Sequence, residues 1–189
     1  DSIYEYVKTF EKDMTVLLCK QKANSRLVSN IPAEVKILDE ENLTLLPKAI
    51  KNPVEVENER IAHIKDGVAL TKFIYWLKKN VGKIPITELS AEEKLYSFRA
   101  QQENFIDNSF DPIISYGKHA AIVHYFATPE TDIPIEPRSF VLADTGGNYY
   151  EGTTDTTRTI VMGSVTDEEK KFFTAVLRGM LNLGNAKFR

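Results

Sequence analysis

The sequence predicts an α+β fold with an antiparallel sheet, and three observations lead to that prediction. Helical spacing of apolar residues dominates from about residue 53 to residue 102. Runs of β-forming residues separated by Gly and Pro then fill 112–162. A last helical pattern occupies 166–184. Helices followed by strands and then by a helix are typical of an α+β domain.

Three helices are predicted from their start signals. Asn52-Pro-Val-Glu55 begins the first, with Asn52 as cap and Pro at a position that needs no N–H, and this helix is expected to reach about residue 80. Its later half is apolar on more than one side, so we expect it to pack between layers. Ser90-Ala-Glu-Glu93 and Thr166-Asp-Glu-Glu169 are capping boxes for the other two helices. The helix at Ser90 is expected to run to about Gln102, and the last helix carries an apolar stripe over 172–181.

Four strands are predicted from their β-forming composition, at Pro112–Tyr116, Ala120–Phe126, Ser139–Ala143 and Thr157–Met162. Thr145-Gly-Gly-Asn148 is predicted to be the turn between the last two strands. Residues 1–46 precede this region and have the pattern of a small α/β piece. We therefore place a domain boundary between residues 46 and 47.

The composition excludes several classes of partner. A formal charge of −3 and a pI near 5.7 give no electrostatic reason to expect nucleic acid. No apolar stretch approaches the roughly 18 residues of a membrane span, and the first residues are not expected to be a signal peptide, because they lack a basic region followed by an apolar one. The lone Cys19 cannot form an internal disulfide, which favours a reducing, cytoplasmic location. Because Cys19 lies in an apolar run, we interpret it as a buried structural thiol. The chain lacks an initiator Met and ends directly after a helical pattern, so both ends are expected to be cut.

Two aspartates are the main candidates for chemistry. Asp144 closes an apolar strand, and Asp155 follows eleven residues later, after the predicted turn. Either residue alone reads as a turn former or a cap. A hairpin that turns at 145–148 would bring both carboxylates to one spot, where they keep their charge only with a cation or a shared proton. Such hard oxygen ligands suit divalent metal ions.

A second interpretation concerns the string Val141-Leu-Ala-Asp-Thr-Gly-Gly147, which is similar to the catalytic loop of aspartic proteases. Those enzymes need two such aspartates that share a proton, and this chain has one Asp-Thr-Gly string. A homodimer would therefore be required. The preceding helices and Asp155 have no place in that fold, which disfavours this interpretation.

The three histidines differ in their setting. His63 lies on the first long helix and is interpreted as a partly exposed structural residue. His119 follows Gly117-Lys118, so exposure is expected there. His124 lies inside the β-run 120–126, where a core imidazole is the default interpretation and a functional role the alternative.

A family resemblance joins these residues. The strings His124-Tyr125, Leu142-Ala-Asp144 and Gly152–Thr159 resemble the creatinase/methionine-aminopeptidase, or pita-bread, family, and most closely its three-domain aminopeptidase P branch. The similarity covers about residue 45 to 189, and four further strings support it: Leu46–Asn52, Arg60–Asp66, Ser109-Phe110 and Pro129–Thr131. The resemblance implies that 1–46 are the end of a middle, creatinase-like domain and that 47–189 are the first half of a pita-bread catalytic domain.

The resemblance also implies roles for individual residues. Asp144 would bind one metal of a dinuclear pair, Asp155 would bridge both metals, and His124 would contact substrate near the scissile carbonyl. Thr157 would hold a carboxylate in place, and no residue of this chain would be a general base. The family's other ligands, one His and two Glu, and a further substrate-contacting His would come later than residue 189. The chain by itself is therefore expected to be inactive.

The implied activity is removal of the N-terminal residue from peptides with proline in the second position, with water activated by two divalent ions. Manganese is expected, with cobalt or zinc as alternatives, and the intact protein is expected to form a homodimer in the cytoplasm. Two other functions stay open: a prolidase that cleaves Xaa-Pro dipeptides, and a non-catalytic pita-bread binding module. Retention of both Asp144 and Asp155 argues against the binding module.

Overall fold

Six α-helices and seven β-strands lie in residues 2–188, the part of the chain that a computed structural model of the protein describes. They form two compact units, the first ending at Pro53 and the second beginning at Val54. The division falls a few residues beyond the predicted domain boundary at 46/47. The assignment of 1–46 and 47–189 to particular domains stays a prediction.

The first unit is a β-α-β arrangement with a short helix at each end. Strands β1 and β2 pair in parallel and are connected by helix α2, so the predicted small α/β piece is confirmed. The core of this unit gathers around Val7, Ile31 and Val35. Its elements are α1 (Ser2–Val7), β1 (Thr15–Leu18), α2 (Ser25–Ser29), β2 (Lys36–Asp39) and α3 (Leu45–Ala49).

The helices of the second unit are α4 (Pro53–Asn80), α5 (Glu88–Arg99) and α6 (Asp167–Asn185). The predicted start and end of α4 and the capping box at Thr166 are confirmed. The expectation that α4 packs between layers is wrong for the described residues. One stripe of the helix is buried, whereas Ile64 and Tyr75 are largely exposed.

Helix α5 begins three residues before the predicted position. Thr87 is the N-cap, its hydroxyl accepts a hydrogen bond from the Ser90 amide, and the Ser90 hydroxyl accepts one from the Thr87 amide. Ser90 is therefore the last residue of the capping box, at position N3, rather than its first. The helix also ends earlier than predicted, at Arg99 instead of near Gln102.

The strands of the second unit form a three-stranded sheet and a separate two-stranded pair. The sheet has the order β4-β5-β7 and is antiparallel throughout, which confirms the predicted α+β class. The pair joins β3 to β6, and neither of these short strands was predicted. Their bounds are β3 (Phe105–Asn108), β4 (Ile113–Tyr116), β5 (Phe140–Thr145), β6 (Gly147–Tyr149) and β7 (Thr156–Val161).

The two faces of the three-stranded sheet have different surroundings. One face, which includes Val141 and Ile160, packs against buried side chains of α4 and α5 and forms the core. The opposite face, which includes Leu142 and Asp144, is only partly covered. We call this second face the open face. Helix α6 contacts it at one end, where Phe173 stacks on Phe140 with ring centroids 5.5 Å apart.

None of the helices in residues 2–188 is long and apolar enough to cross a membrane.

Candidate metal centre

Asp144 lies on β5, on the open face of the sheet. Its cross-strand partner is Thr157 on β7, and the Thr157 hydroxyl donates a 2.7 Å hydrogen bond to Asp144 Oδ1. Such a bond restricts the side-chain torsions of the carboxylate before any ligand arrives. The expected contact between Thr157 and a carboxylate is therefore confirmed.

Asp155 lies directly before β7, and the strand register puts it on the same face as Asp144. Thr145 pairs with Thr156, and beyond Asp155 the bridge between Asn148 and Thr153 keeps the same register. Asp155 thus falls opposite Gly146, at a position diagonal to Asp144. Diagonal positions of an antiparallel pair lie about 7–8 Å apart, within reach of two convergent side chains.

The turn that joins the two aspartates is not where the sequence pattern indicated. Residues 145–148 do not form the turn, because the chain continues past Gly146 into β6. The reversal comes at 149–152, where the amide and carbonyl of Tyr149 exchange hydrogen bonds with those of Gly152. The predicted turn was wrong because the hairpin extends through β6, which also pairs with the unpredicted strand β3, before the chain reverses.

Each aspartate has a fully buried threonine as a chain neighbour. Thr145, next to Asp144, accepts a 2.9 Å hydrogen bond from Arg99 Nη2. Thr154, next to Asp155, accepts one of 2.9 Å from the Gly147 amide through its hydroxyl and one of 2.8 Å from Ser109 through its carbonyl. The backbone on both sides of the aspartate pair is therefore anchored in the core.

The Gly146 position explains why the two chain segments approach so closely. A Cβ at Gly146 would collide with the Thr154 carbonyl oxygen and with the Ser109 hydroxyl. Only glycine leaves room for that backbone contact. The Gly-Gly string in the sequence therefore marks a close approach and not a turn.

A buried ion pair supports Thr145 from below. Arg99 donates from Nε to Asp66 Oδ1 at 2.7 Å and from Nη2 to Asp66 Oδ2 at 3.3 Å. The Tyr149 hydroxyl donates to Asp66 Oδ1 at 3.1 Å. Burial and the adjacent Asp66 carboxylate raise the pKa of Tyr149, so its hydroxyl keeps its proton and remains a donor. The network ties α4, α5, β5 and β6 together beneath the aspartates.

His124 lies in a turn and not in a strand. The predicted strand at Ala120–Phe126 is wrong, since Gly117–Ala121 form a short 3-10 helix and the residues after it have no strand pairing. His124 has a φ of 57° and is exposed, which excludes the core-histidine interpretation for the described chain. A cavity of about 250 Å³ lies between Gly117, Ala120 and the open-face residues Leu142 and Thr159. The segment that leads to His124 thus borders the open face.

The other histidines reverse one expectation and confirm another. His119, expected to be exposed, is buried, with Nδ1 3.0 Å from Glu88 Oε2. His63 is half exposed on α4, as expected.

Cys19 is only partly buried. Glu88 had not been singled out from the sequence, because nothing within its own helix distinguishes it from a solvated glutamate.

The chemistry of this arrangement is that of part of a metal site. Two carboxylates on one face, one of them held by a hydroxyl, present hard oxygen ligands that fit a divalent ion. Within residues 2–188, no group of three or more His, Cys, Asp and Glu side chains is placed to hold a metal ion. The two aspartates therefore fit such an ion as a partial ligand set.

An α+β domain with paired carboxylates on an open sheet face has the features of a metal-dependent hydrolase. Comparison with known families agrees with this class. The chain belongs to metallopeptidase family M24, whose family model matches residues 57–188.

Two similar proteins show which members of this family the chain resembles. A probable Xaa-Pro aminopeptidase P of Paracoccidioides brasiliensis is 45% identical over 143 residues, which is 75% of this chain and 23% of the relative. The crystal structure of the X-prolyl aminopeptidase from Caenorhabditis elegans, described as a cytosolic enzyme with a di-nuclear active site, superposes with a TM-score of 0.88 and 29% identity. The match covers 99% of this chain and 32% of that one.

A third match shows the fold alone. The Xaa-Pro dipeptidase from Bacillus anthracis has a TM-score of 0.72 at 22% identity, covering 95% of this chain and 49% of the dipeptidase. These structures confirm the expected pita-bread fold. The chain spans about a quarter of the length of the curated relatives it matches.

Proposed function

We propose that the full-length protein is an Xaa-Pro aminopeptidase, which removes the N-terminal residue from peptides with proline in the second position. The observation that carries the proposal is the match of nearly the whole chain to the C. elegans X-prolyl aminopeptidase at a TM-score of 0.88. The identity of 45% to the probable Xaa-Pro aminopeptidase P of P. brasiliensis supports the same activity.

The proposed cofactor is a pair of divalent metal ions, with manganese preferred and cobalt or zinc as alternatives. The di-nuclear site of the C. elegans enzyme supports the number of ions. Asp144 would bind one ion and Asp155 would bind both. When bound, such ions polarise a carbonyl oxygen and lower the pKa of water.

The residues of this chain would have three tasks in the reaction. Asp144 and Asp155 supply negative charge at fixed positions on the open face. Thr157 keeps the Asp144 carboxylate oriented through its 2.7 Å hydrogen bond. His124, exposed at the end of its turn, would donate a hydrogen bond to the carbonyl oxygen of the scissile bond as negative charge develops there.

The chemistry of proline explains why a dedicated enzyme is required. The bond before proline lacks an N–H, and the ring fixes φ near −65°. A peptidase that recognises an N–H and an ordinary extended chain excludes such bonds. A site that accepts the ring therefore acts on a class of peptides that general aminopeptidases leave intact.

Residues 1–189 alone would not complete this chemistry. The described part of the chain holds two candidate carboxylate ligands, and no group of three or more His, Cys, Asp and Glu side chains there is placed to hold a metal ion. We propose that the remaining ligands come from the longer protein, since this chain spans only about a quarter of the length of the curated relatives it matches. We further propose a cytoplasmic homodimer. The cytosolic location given for the C. elegans enzyme supports the compartment.

A prolidase is the second candidate. The Xaa-Pro dipeptidase from B. anthracis shares the fold, but its 22% identity supports nothing finer. The two functions differ in the length of peptide cleaved: a prolidase cleaves Xaa-Pro dipeptides, whereas the aminopeptidase cleaves longer peptides with proline in the second position. A non-catalytic module is disfavoured because both aspartates are present and one of them is held by Thr157.

The experiment uses purified full-length protein, Mn²⁺, an Xaa-Pro-Xaa tripeptide, an Xaa-Pro dipeptide and an Xaa-Ala-Xaa tripeptide. The proposal expects cleavage of the first peptide only. It also expects Asp144→Asn and Asp155→Asn to lose both metal and activity. Asp167→Asn serves as the matched control, because the Asp167 side chain is 99% exposed at the start of α6. Cleavage of the dipeptide alone would assign a prolidase, and no cleavage by the metal-loaded protein would refute both enzymes.

A further inference from the structure

Glu88 carries a fully buried carboxylate at the first position of α5. Its Oε1 accepts a 2.7 Å hydrogen bond from the Tyr116 amide, and its Oε2 accepts one of 3.2 Å from the Tyr125 hydroxyl. His119 Nδ1 lies 3.1 Å and 3.0 Å from the two oxygens. Burying a carboxylate is costly unless donors replace the lost water. Glu88 therefore binds three points of the segment 116–125.

Tyr125 is held on several sides. Its ring lies over the His119 ring, with centroids 4.4 Å apart and an interplanar angle of 31°. Its hydroxyl oxygen is also 3.1 Å from Thr131 Oγ1. Its amide donates a 3.2 Å hydrogen bond to the carbonyl of Ile122, which closes the turn around His124. The position of Tyr125 is thus fixed by ring, hydroxyl and backbone.

His124 is the chain neighbour of Tyr125 and stands in a conformation that needs support. Its φ of 57° is in the left-handed region, which residues with a Cβ adopt only at a cost. Strained backbone of this kind persists where the surroundings over-determine it. Here the support comes from Glu88, which lies 36 positions before His124 in the chain and contacts both Tyr125 and His119.

We propose that Glu88 is a positioning residue: by holding Tyr125 and His119, it sets the backbone from which His124 reaches the substrate. The inference rests on the proposed function, since it takes His124 to contact substrate. Glu88 itself is fully buried. It acts through Tyr125 and His119, and removing the Tyr125 hydroxyl breaks one of these two connections.

The test is a double-mutant cycle in the full-length protein, with kcat and KM measured on an Xaa-Pro-Xaa peptide in Mn²⁺. Tyr125→Phe keeps the ring and removes the hydroxyl. We expect it to lower kcat about tenfold with KM changed less than about twofold, and to lower kcat less than about twofold in a His124→Ala background. Glu88→Gln should show the same dependence on His124. Tyr125→Phe keeps the test valid if Glu88→Gln does not fold.

The matched control is Tyr75→Phe, which removes the hydroxyl of an exposed tyrosine on α4 that accepts a hydrogen bond from Lys79. It should leave kcat unchanged in both backgrounds. A merely structural role for the Glu88 contact would lower kcat by the same factor whether or not His124 is present. That outcome would overturn the proposal.

A second readout does not depend on activity. Hydrogen exchange of the full-length protein, followed by mass spectrometry, should become faster over residues 117–131 in Tyr125→Phe and stay unchanged in Tyr75→Phe. Unchanged exchange at 117–131 would overturn the proposal. Failure of the wild type to cleave any Xaa-Pro peptide would refute the proposed function instead, and the exchange result would then decide by itself whether Glu88 holds the His124 turn.

Discussion

The hydroxyl of Thr157 donates a 2.7 Å hydrogen bond to Oδ1 of Asp144, its cross-strand partner. The bond joins the two strands that carry the candidate ligands, and it uses one of the two carboxylate oxygens of Asp144. A metal ligand that is already oriented loses less side-chain freedom on binding. The contact therefore prepares the site before an ion arrives.

Replacing Thr157 by Val should weaken metal binding by about tenfold, because outer partners of metal ligands typically contribute 10–100-fold. The measurement is a titration of the metal-free full-length protein with Mn²⁺. Thr159→Val is the matched control, since Thr159 lies two residues along the same strand and faces Leu142 instead of a carboxylate. Equal affinities for the two variants would show that the hydrogen bond does not orient a ligand.

Removing one partner of the buried pair Asp66–Arg99 should destabilise the second unit strongly. Asp66→Ala leaves the Arg99 guanidinium buried without its carboxylate partner, which typically costs about 3–5 kcal/mol of unfolding free energy. Urea denaturation of the full-length protein measures this loss. Glu57→Ala breaks an exposed ion pair with Arg60 on the same helix and should cost less than about 1 kcal/mol. A similar small loss for Asp66→Ala would mean that water or a neighbouring group compensates the arginine.

Glu151 gives a prediction for the pH dependence of stability. Hydrogen bonds from Lys65 and Asn104 hold the pKa of Glu151 below its usual value. A carboxyl with a lowered folded-state pKa stabilises the fold above its unfolded pKa, and that contribution is lost as the pH falls through the folded pKa. Glu151→Gln should therefore lower the Tm at pH 7, and the difference from wild type should shrink as the pH falls below about 4.5.

Thermal unfolding across pH 3–7 checks this expectation. The control is Glu57→Gln, because the Glu57 side chain is 63% exposed and its partner Arg60 is 70% exposed. A Tm difference for Glu151→Gln that stays constant down to pH 3 would contradict the assigned ionic contact with Lys65.

Local signals predicted those parts of the fold that are determined locally. The Thr166 capping box and the Pro53 start of α4 lie where the sequence placed them, because their hydrogen bonds involve residues within one helical turn. The predicted start of α5 was wrong because Thr87 and Ser90 both have side chains that can cap a helix. Contacts from a distant segment, such as the hydrogen bond from the Leu89 amide to Asp132, favour the earlier start.

The wrong predictions around the candidate site also result from contacts with residues that are distant in the sequence. The β-forming residues 120–126 do not form a strand: they follow and overlap a short 3-10 helix, and Tyr125 donates a hydrogen bond to Glu88, 37 positions earlier in the chain. No window of sequence around His119 contains that partner, so its burial was unforeseen. The aspartates were found from their spacing across a predicted hairpin, and the family resemblance then assigned their roles. Their common face follows from the register of β5 and β7, which the sequence pattern alone does not determine.

The apolar stripe of α6 gives the last prediction. The sequence places an apolar stripe on this helix over 172–181, yet no described residue of the helix is buried. Val176 is 74% exposed and Met180 is 59% exposed, although both lie in the stripe. Exposed apolar patches of several hundred Å² mark a surface that contacts another segment or molecule. If the proposed function is correct, we expect another segment of the full-length protein to cover this stripe.

Purified residues 1–189 should therefore self-associate and should not cleave Xaa-Pro peptides with added Mn²⁺. Val176→Glu with Met180→Glu should reduce the association measured by sedimentation velocity, because two charges then interrupt the stripe. Ala175→Glu with Asn182→Glu adds the same charge on the opposite side of α6 and should leave the association unchanged. A monodisperse wild-type monomer that cleaves such peptides would show that the stripe needs no cover and that two aspartates suffice for the metal.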